Sequence, residues 1–186
     1  MQRESWLRQI GFAVAIVVGG FGLPSPAYAA SAEEIDIGVD AALVRFDETV
    51  LGGGEFLKRA KGVLVFPKVI KAGMGVGGEY GEGALRVDGK TVDYYNTASA
   101  SIGFQLGAQT KTLIIVFLSD AALRDFRNSE GWRAGVDGSI AIAEWGAGED
   151  ISTATIKDPV IGFVFGNKGL MYNLTLEGSK FTKIAR

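Results

Sequence analysis

From Ser31 onward apolar residues recur at spacings of three and four. Ile35, Val39, Leu43 (or Ala42), Phe46 and Val50 fall on one stripe, which predicts an amphipathic helix that begins at Ser31 with Glu33 and Glu34 in its first turn. Gly52, Gly53 and Gly54 are expected to stop it. A short second helix follows over residues 55–60, with Lys58, Arg59 and Lys61 at the end where the helix dipole favours positive charge. From Gly62 the period changes. Residues 63–66 (Val-Leu-Val-Phe) read as a buried strand, which Pro67 confines to a sheet edge or a strand end. Further strands are predicted at 84–87, 91–95, 98–106, 113–118, 136–145, 160–165 and 170–176. Asp88-Gly89 is a hairpin turn, and Asn167-Lys168-Gly169 is the turn of a last hairpin. One helix interrupts the series: Ser119 or Asp120 caps it, Ala122, Leu123 and Phe126 form its inner face, and Gly131 ends it.

The chain holds 27 glycines, four of them before residue 30. Glycine weakens a strand unless a bulge, a corner or a close backbone approach uses the missing side chain. The fold expected is therefore α+β and mainly β: a strongly bent or barrel-like antiparallel sheet, capped by N-terminal helices and one inserted helix. At 186 residues this is one domain with a sizeable core.

Residues 1–29 have the layout of an export signal. Arg3 and Arg8 form a positive start, an uncharged apolar run of about 14 residues extends from Ile10 to Leu23, Pro24 and Pro26 break it, and Ala27-Tyr28-Ala29 has the small-x-small pattern of a cleavage site. The run is shorter than the roughly 20 residues of a membrane-spanning helix. The expectation is a cut after Ala29, a domain over 30–186, and a periplasmic or secreted product able to associate peripherally with membrane.

Composition excludes much chemistry. With no cysteine and no histidine there can be no disulfide, no thiolate or imidazole metal site, no Ser-His-Asp triad and no lipoprotein anchor. A net charge of −2 argues against nonspecific nucleic-acid binding. Gly73, Gly75 and Gly78 satisfy G-x-G-x-x-G, but strand-like sequence follows where a nucleotide-binding unit needs a helix. Glu79, Glu82, Asp137, Glu144, Glu149 and Asp150 fall on no calcium-loop spacing and read as turn and edge residues. Trp145, in an alternating apolar stretch, reads as core; Trp132 is either a core or an interfacial aromatic. No catalytic residue, metal or cofactor is expected, and the chain reads as a non-enzyme.

Lys58, Arg59, Lys61, Lys68 and Lys71 lie within 14 positions and surround Phe66-Pro67, Val69-Ile70 and Met74. Such a cluster suits an anionic membrane surface, where each Lys or Arg contributes roughly 1 kcal/mol, or it is an ordinary solvated face above a core.

Six segments together resemble the SYLF domain family: AKGVLVFPKVIKAG (60–73), GVGGEYGEG (75–83), YNTASASIGFQLGAQ (95–109), GWRAGVDGS (131–139), GFVFGNKGLM (162–171) and LEGSK (176–180). Members of that family bind membrane lipids, phosphoinositides in eukaryotic members, and some fungal members bind and bundle actin. The resemblance implies headgroup contact by Lys61, Lys68 and Lys71, with Phe66 and Met74 as acyl or interface contacts. The export segment and the absence of an SH3 or FYVE partner argue against actin and phosphoinositides. They point to anionic phospholipid, with a cavity-type lipid carrier or a protein-binding module of the envelope as alternatives.

Overall fold

The computed structural model describes residues 29–143, 150–151, 156–166, 169–171 and 176–186, with backbone alone for 73–76, 101–108 and 169–171. The segment read as an export signal, up to residue 28, Glu144, Trp145, Glu149 and the residues Asn167 and Lys168 expected to form a turn lie outside the described residues.

Helix α1, Ala32–Thr49, starts where the sequence places it. The Ser31 hydroxyl accepts from the Glu34 amide and the Glu34 carboxylate accepts from the Ser31 amide, a reciprocal cap of two otherwise unpaired donors. Its buried stripe is Ile35, Val39, Ala42, Phe46 and, at the C-cap, Val50. Helix α2, Gly53–Lys58, begins inside the glycine triplet rather than after it. Gly52 takes the left-handed conformation, and the Asp47 carboxylate accepts from the Gly54 amide at 2.7 Å, supplying the cap that the sequence reading missed.

A single long hairpin dominates the fold. Strand β1, Gly62–Val87, pairs antiparallel with β2, Lys90–Phe117, around Asp88-Gly89, whose two positive φ angles suit the right-handed twist of the strands they join. Pro67 does not end β1. It sits in a register shift between Phe66 and Val69, on a strand that pairs, among the described residues, with β2 alone, so its missing amide costs no ladder bond. Helix α3, Asp120–Asn128, and strands β3 (Trp132–Arg133), β4 (Ala141–Ile142), β5 (Val160–Gly166), β6 (Gly169–Met171) and β7 (Lys180–Ile184) complete the described elements. The sheet runs β3-β7-β2-β5-β4, with β1 along the other side of β2 and β6 beside β5. All pairings are antiparallel except β4 with β5. The strand expected over 136–145 shrinks to Ala141–Ile142, because 134–138 is a tight turn in which Asp137 accepts from the Arg133 amide. β7 was not foreseen.

The hairpin curls until β1 meets itself. A Cβ on Gly83 would stand 2.0 Å from the Val65 carbonyl oxygen, and one on Gly81 would stand 2.8 Å from that of Lys68. Two stretches of backbone therefore touch where any side chain would hold them apart. This curl makes the sheet a bent half-barrel, with apolar side chains on both faces of its middle strands. Val63, Val65, Ile114, Val116, Phe163 and Phe165 pack under α1 and α2. Leu64, Phe66, Leu113, Ile115, Phe117 and Val164 pack on the other face with Phe126, Trp132 and Phe181. Burial on both faces is why 113–117 is unbroken apolar sequence.

Candidate functional site

The start of α1 lies across the curled hairpin and leaves an open groove of about 620 Å³. One wall is Ala30, Ile35 and Gly38; the other is Pro67, Lys68, Ile70 and Gly81, with Tyr80 and Glu82 at one end. Lys68 and Ile70, two apart beyond the bulge, both face it. Ile70 is 42 % exposed and Tyr80 50 %, so two large apolar side chains are offered to whatever occupies this surface. Lys68 is exposed, with no ion pair among the described residues.

The acidic groups nearby are engaged. The Glu82 carboxylate takes the Arg186 guanidinium at 2.5 Å and the Tyr80 hydroxyl at 2.8 Å on one oxygen, and the Ala30 amide at 3.0 Å on the other. Partial burial, and then the bond to Glu82, push the Tyr80 phenol up from its ordinary value. Glu34 is occupied in the cap of α1. Farther along, Glu79 holds Lys111 at 2.6 Å and Lys71 at 3.9 Å, two cations on one carboxylate.

The lysines expected to act together diverge. Lys61 pairs with Asp120 at the start of α3, seven residues before Lys68, which is roughly 23 Å along an extended strand. Lys71 stands an odd number of positions from Lys68 and turns toward Glu79 and Lys111; Lys111 is opposite the buried Val69. Only Lys68 faces the groove. Phe66, expected at an interface, is fully buried and stacks against Phe181 at 5.6 Å, because the strand covers both its faces there. The Met74 side chain lies outside the described residues. Ile70 was foreseen only as an apolar neighbour of the basic cluster and Tyr80 not at all; the sequence signal was their placement next to Lys68 and Glu79 around a proline bulge.

Two charged hubs hold the walls. Asp36 on α1 accepts from Thr91 at 2.7 Å and from the Tyr94 hydroxyl at 2.9 Å and pairs with Arg86, which also reaches Asp40 at 2.8 Å. Buried Asp93 holds Arg127 of α3 at 3.0 Å and Lys183 of β7. The G-x-G-x-x-G glycines lie within β1, with a register shift between Gly73 and Gly75 and without the helix a phosphate loop needs. No metal-binding cluster occurs among the described residues, and no described helix is long and apolar enough to cross a membrane.

Residues 98–185 match the protein family described as Ysc84, Las17-binding protein actin regulator. Over these residues the chain matches the SYLF (Ysc84) family. The match to that family model takes in most of β2, then α3 and β3 to β7. Lys61, Lys68 and Lys71 lie upstream of it, Lys68 and Lys71 on the strand paired to the matched β2 and Lys61 just before that strand begins. The family is known for actin binding and lipid binding. No curated protein matches the chain.

Proposed function

We propose that this SYLF domain is an exported, non-enzymatic protein that docks on anionic phospholipid through the rim of the groove, with Lys68 toward headgroups and Ile70 and Tyr80 in the interface. No bond is made or broken. The observation that supports this reading is the exposed, unpaired Lys68 beside two large exposed apolar side chains, at an open groove whose carboxylates are already engaged. The lysine contributes roughly 1 kcal/mol at an anionic surface. Full burial of a large apolar side chain is worth about 1.5–3 kcal/mol, so two half-exposed ones add about 1 kcal/mol each. The sum, about 3 kcal/mol, enriches the protein at a membrane by roughly a hundredfold. That is reversible peripheral attachment.

Co-sedimentation with vesicles tests this directly. Phosphatidylglycerol vesicles are expected to carry the protein down, phosphatidylcholine vesicles much less, with attachment falling as salt rises. Equal binding to both, or binding indifferent to salt, overturns the electrostatic part.

A second reading, a protein-interaction module of the envelope, is favoured by a different surface. Ile37, Val44 and Leu51, spaced by seven on and just past α1, are all more than half exposed. Capture of the same protein partner from envelope extract before and after lipid removal, without vesicle binding, supports that reading instead.

A further inference from the structure

The backbone nitrogen of Ala30 is already placed on a carboxylate. The Ala30 amide donates to Glu82 Oε2 at 3.0 Å, across 52 positions of sequence, and this is the bond that draws the start of the chain against β1. The other Glu82 oxygen is taken by Arg186 and Tyr80, which leaves Oε2 turned to residue 30. The Glu82 side chain is only 10 % exposed. The bond just before this nitrogen, Ala29–Ala30, is the one that Ala27-Tyr28-Ala29 marks for a protease of the signal-peptidase class.

We propose that Glu82 is a receptor site for the new amino terminus: cleavage between Ala29 and Ala30 turns a neutral hydrogen bond into a sheltered ion pair. Water adds across the amide; Ala29 leaves as a carboxylate and the Ala30 nitrogen, taking a proton at neutral pH, becomes an ammonium. The atom that donated one hydrogen to Glu82 now carries a full charge and three. The charge-assisted bond is roughly twice as strong as the neutral one it replaces, so processing tightens the first turn of α1 onto the hairpin and fixes one wall of the groove. The proposal rests on the reading of residues 1–29 as an export signal and not on lipid docking, so each can fail while the other stands.

The surrounding charges decide whether the pair forms. Against the ammonium stand the Arg186 guanidinium on the same carboxylate, Lys68 across the groove, and the positive end of the α1 dipole. For it stand Glu82 itself, Glu34, whose carboxylate accepts from the adjacent Ser31 amide at 2.8 Å, and Glu33 in the first turn. The Tyr80 phenol is neutral at physiological pH and donates to Glu82. Glu82 is in direct contact, Arg186 is held on its other oxygen and Lys68 is only a groove neighbour, so the balance favours the ammonium.

The test uses the whole 186-residue chain, expressed with its leader in a bacterial host and recovered from the periplasm. Intact mass and N-terminal sequencing are expected to find Ala30 first. With ¹³C-labelled alanine, the Ala30 methyl reports titration of its own amine. A free α-amine titrates near 8. The folded protein is expected to hold its proton at least tenfold more tightly than the same chain in urea, and Glu82→Gln removes the difference. A group with a raised folded pKa stabilises below its unfolded value and loses that contribution as pH rises through the folded one. The processed protein is therefore expected to lose about tenfold in its folding constant between pH 7 and pH 10 through this group. A different first residue overturns the proposal, and so does a native amine that titrates at or below its value in urea. The native-against-urea comparison needs no variant and stands if Glu82→Gln does not fold.

Discussion

Adding one methyl group at Gly83 attacks the contact that makes the sheet curl. The Cβ of Gly83→Ala would sit 2.0 Å from the Val65 carbonyl oxygen and 2.7 Å from the Phe66 ring, where ordinary contact begins near 3.4 Å. The two stretches of β1 must separate by more than 1 Å, and neither is a flexible side-chain end. Overpacking of this kind costs about 1–3 kcal/mol, occasionally more. A backbone clash in the centre of the hairpin belongs at or above the upper end, so the expected loss is about 3 kcal/mol out of a total stability of roughly 5–15 kcal/mol. Gly78→Ala is the matched control. It lies in the same strand, and its nearest neighbour is the Ser99 carbonyl oxygen at 3.6 Å, an ordinary contact. Loss of a glycine there narrows the unfolded ensemble and adds about 0.4–1 kcal/mol. Urea unfolding followed by the fluorescence of buried Trp132 measures both, and thermal melting should place Gly83→Ala roughly 6–12 °C below the parent. If the two variants agree within about 0.5 kcal/mol, the hairpin does not close on itself at Gly83 and the curled sheet is wrong.

Three further outcomes follow from the packing. Burial, and then the charge of Asp93, push the Tyr95 phenol up to about 12 against the pull of Arg127; the unfolded phenol ionises near 10, so its stabilising contribution is whole below pH 10 and about 2 kcal/mol of it is gone by pH 12. Tyr95→Phe should remove that alkaline loss, seen as a smaller difference between melts at pH 9 and pH 11.5. It should cost nothing at pH 7, because the buried hydroxyl has no hydrogen-bond partner among the described residues. Asp36→Ala should cost about 2 kcal/mol by urea unfolding and speed hydrogen exchange in α1, since it leaves Thr91 and Tyr94 unpaired at the helix–hairpin junction. Phe66→Ala should cost about 3–5 kcal/mol as a core truncation while the folded fraction still binds vesicles normally; a specific loss of vesicle binding would return Phe66 to the interface.

Much of this architecture is legible in the chain because local and global preferences agree. The three-and-four stripe of α1, its Ser31–Glu34 cap, the Asp88-Gly89 turn and the apolar run at 113–117 each name one structure. The glycine content foretells a bent sheet, but not which glycines touch; that takes the register of β1 on β2. β7 was hidden because Lys180, Thr182 and Lys183 dilute a strand in which Phe181 is the one fully buried side chain. The site was harder. Lys61, Lys68 and Lys71 are neighbours in sequence, but strand alternation and a bulge at Pro67 send them to different places, and pairing with Asp120 and Glu79 engages two of them. Phe66 reads as core from its residues and as interface from the family resemblance, and the choice is made once both faces of β1 are seen to be covered.

The measurement that bears most directly on the proposed role compares Lys68→Glu with Lys61→Glu in phosphatidylglycerol vesicle binding at low salt. Reversing Lys68 at the groove rim should cut vesicle affinity by about tenfold or more, since a contribution of roughly 1 kcal/mol is replaced by repulsion of similar size. Reversing Lys61, which sits at the α3 end of the sheet beside Asp120, should leave it within twofold of the parent. Equal losses from both, or full binding by Lys68→Glu, would contradict the account.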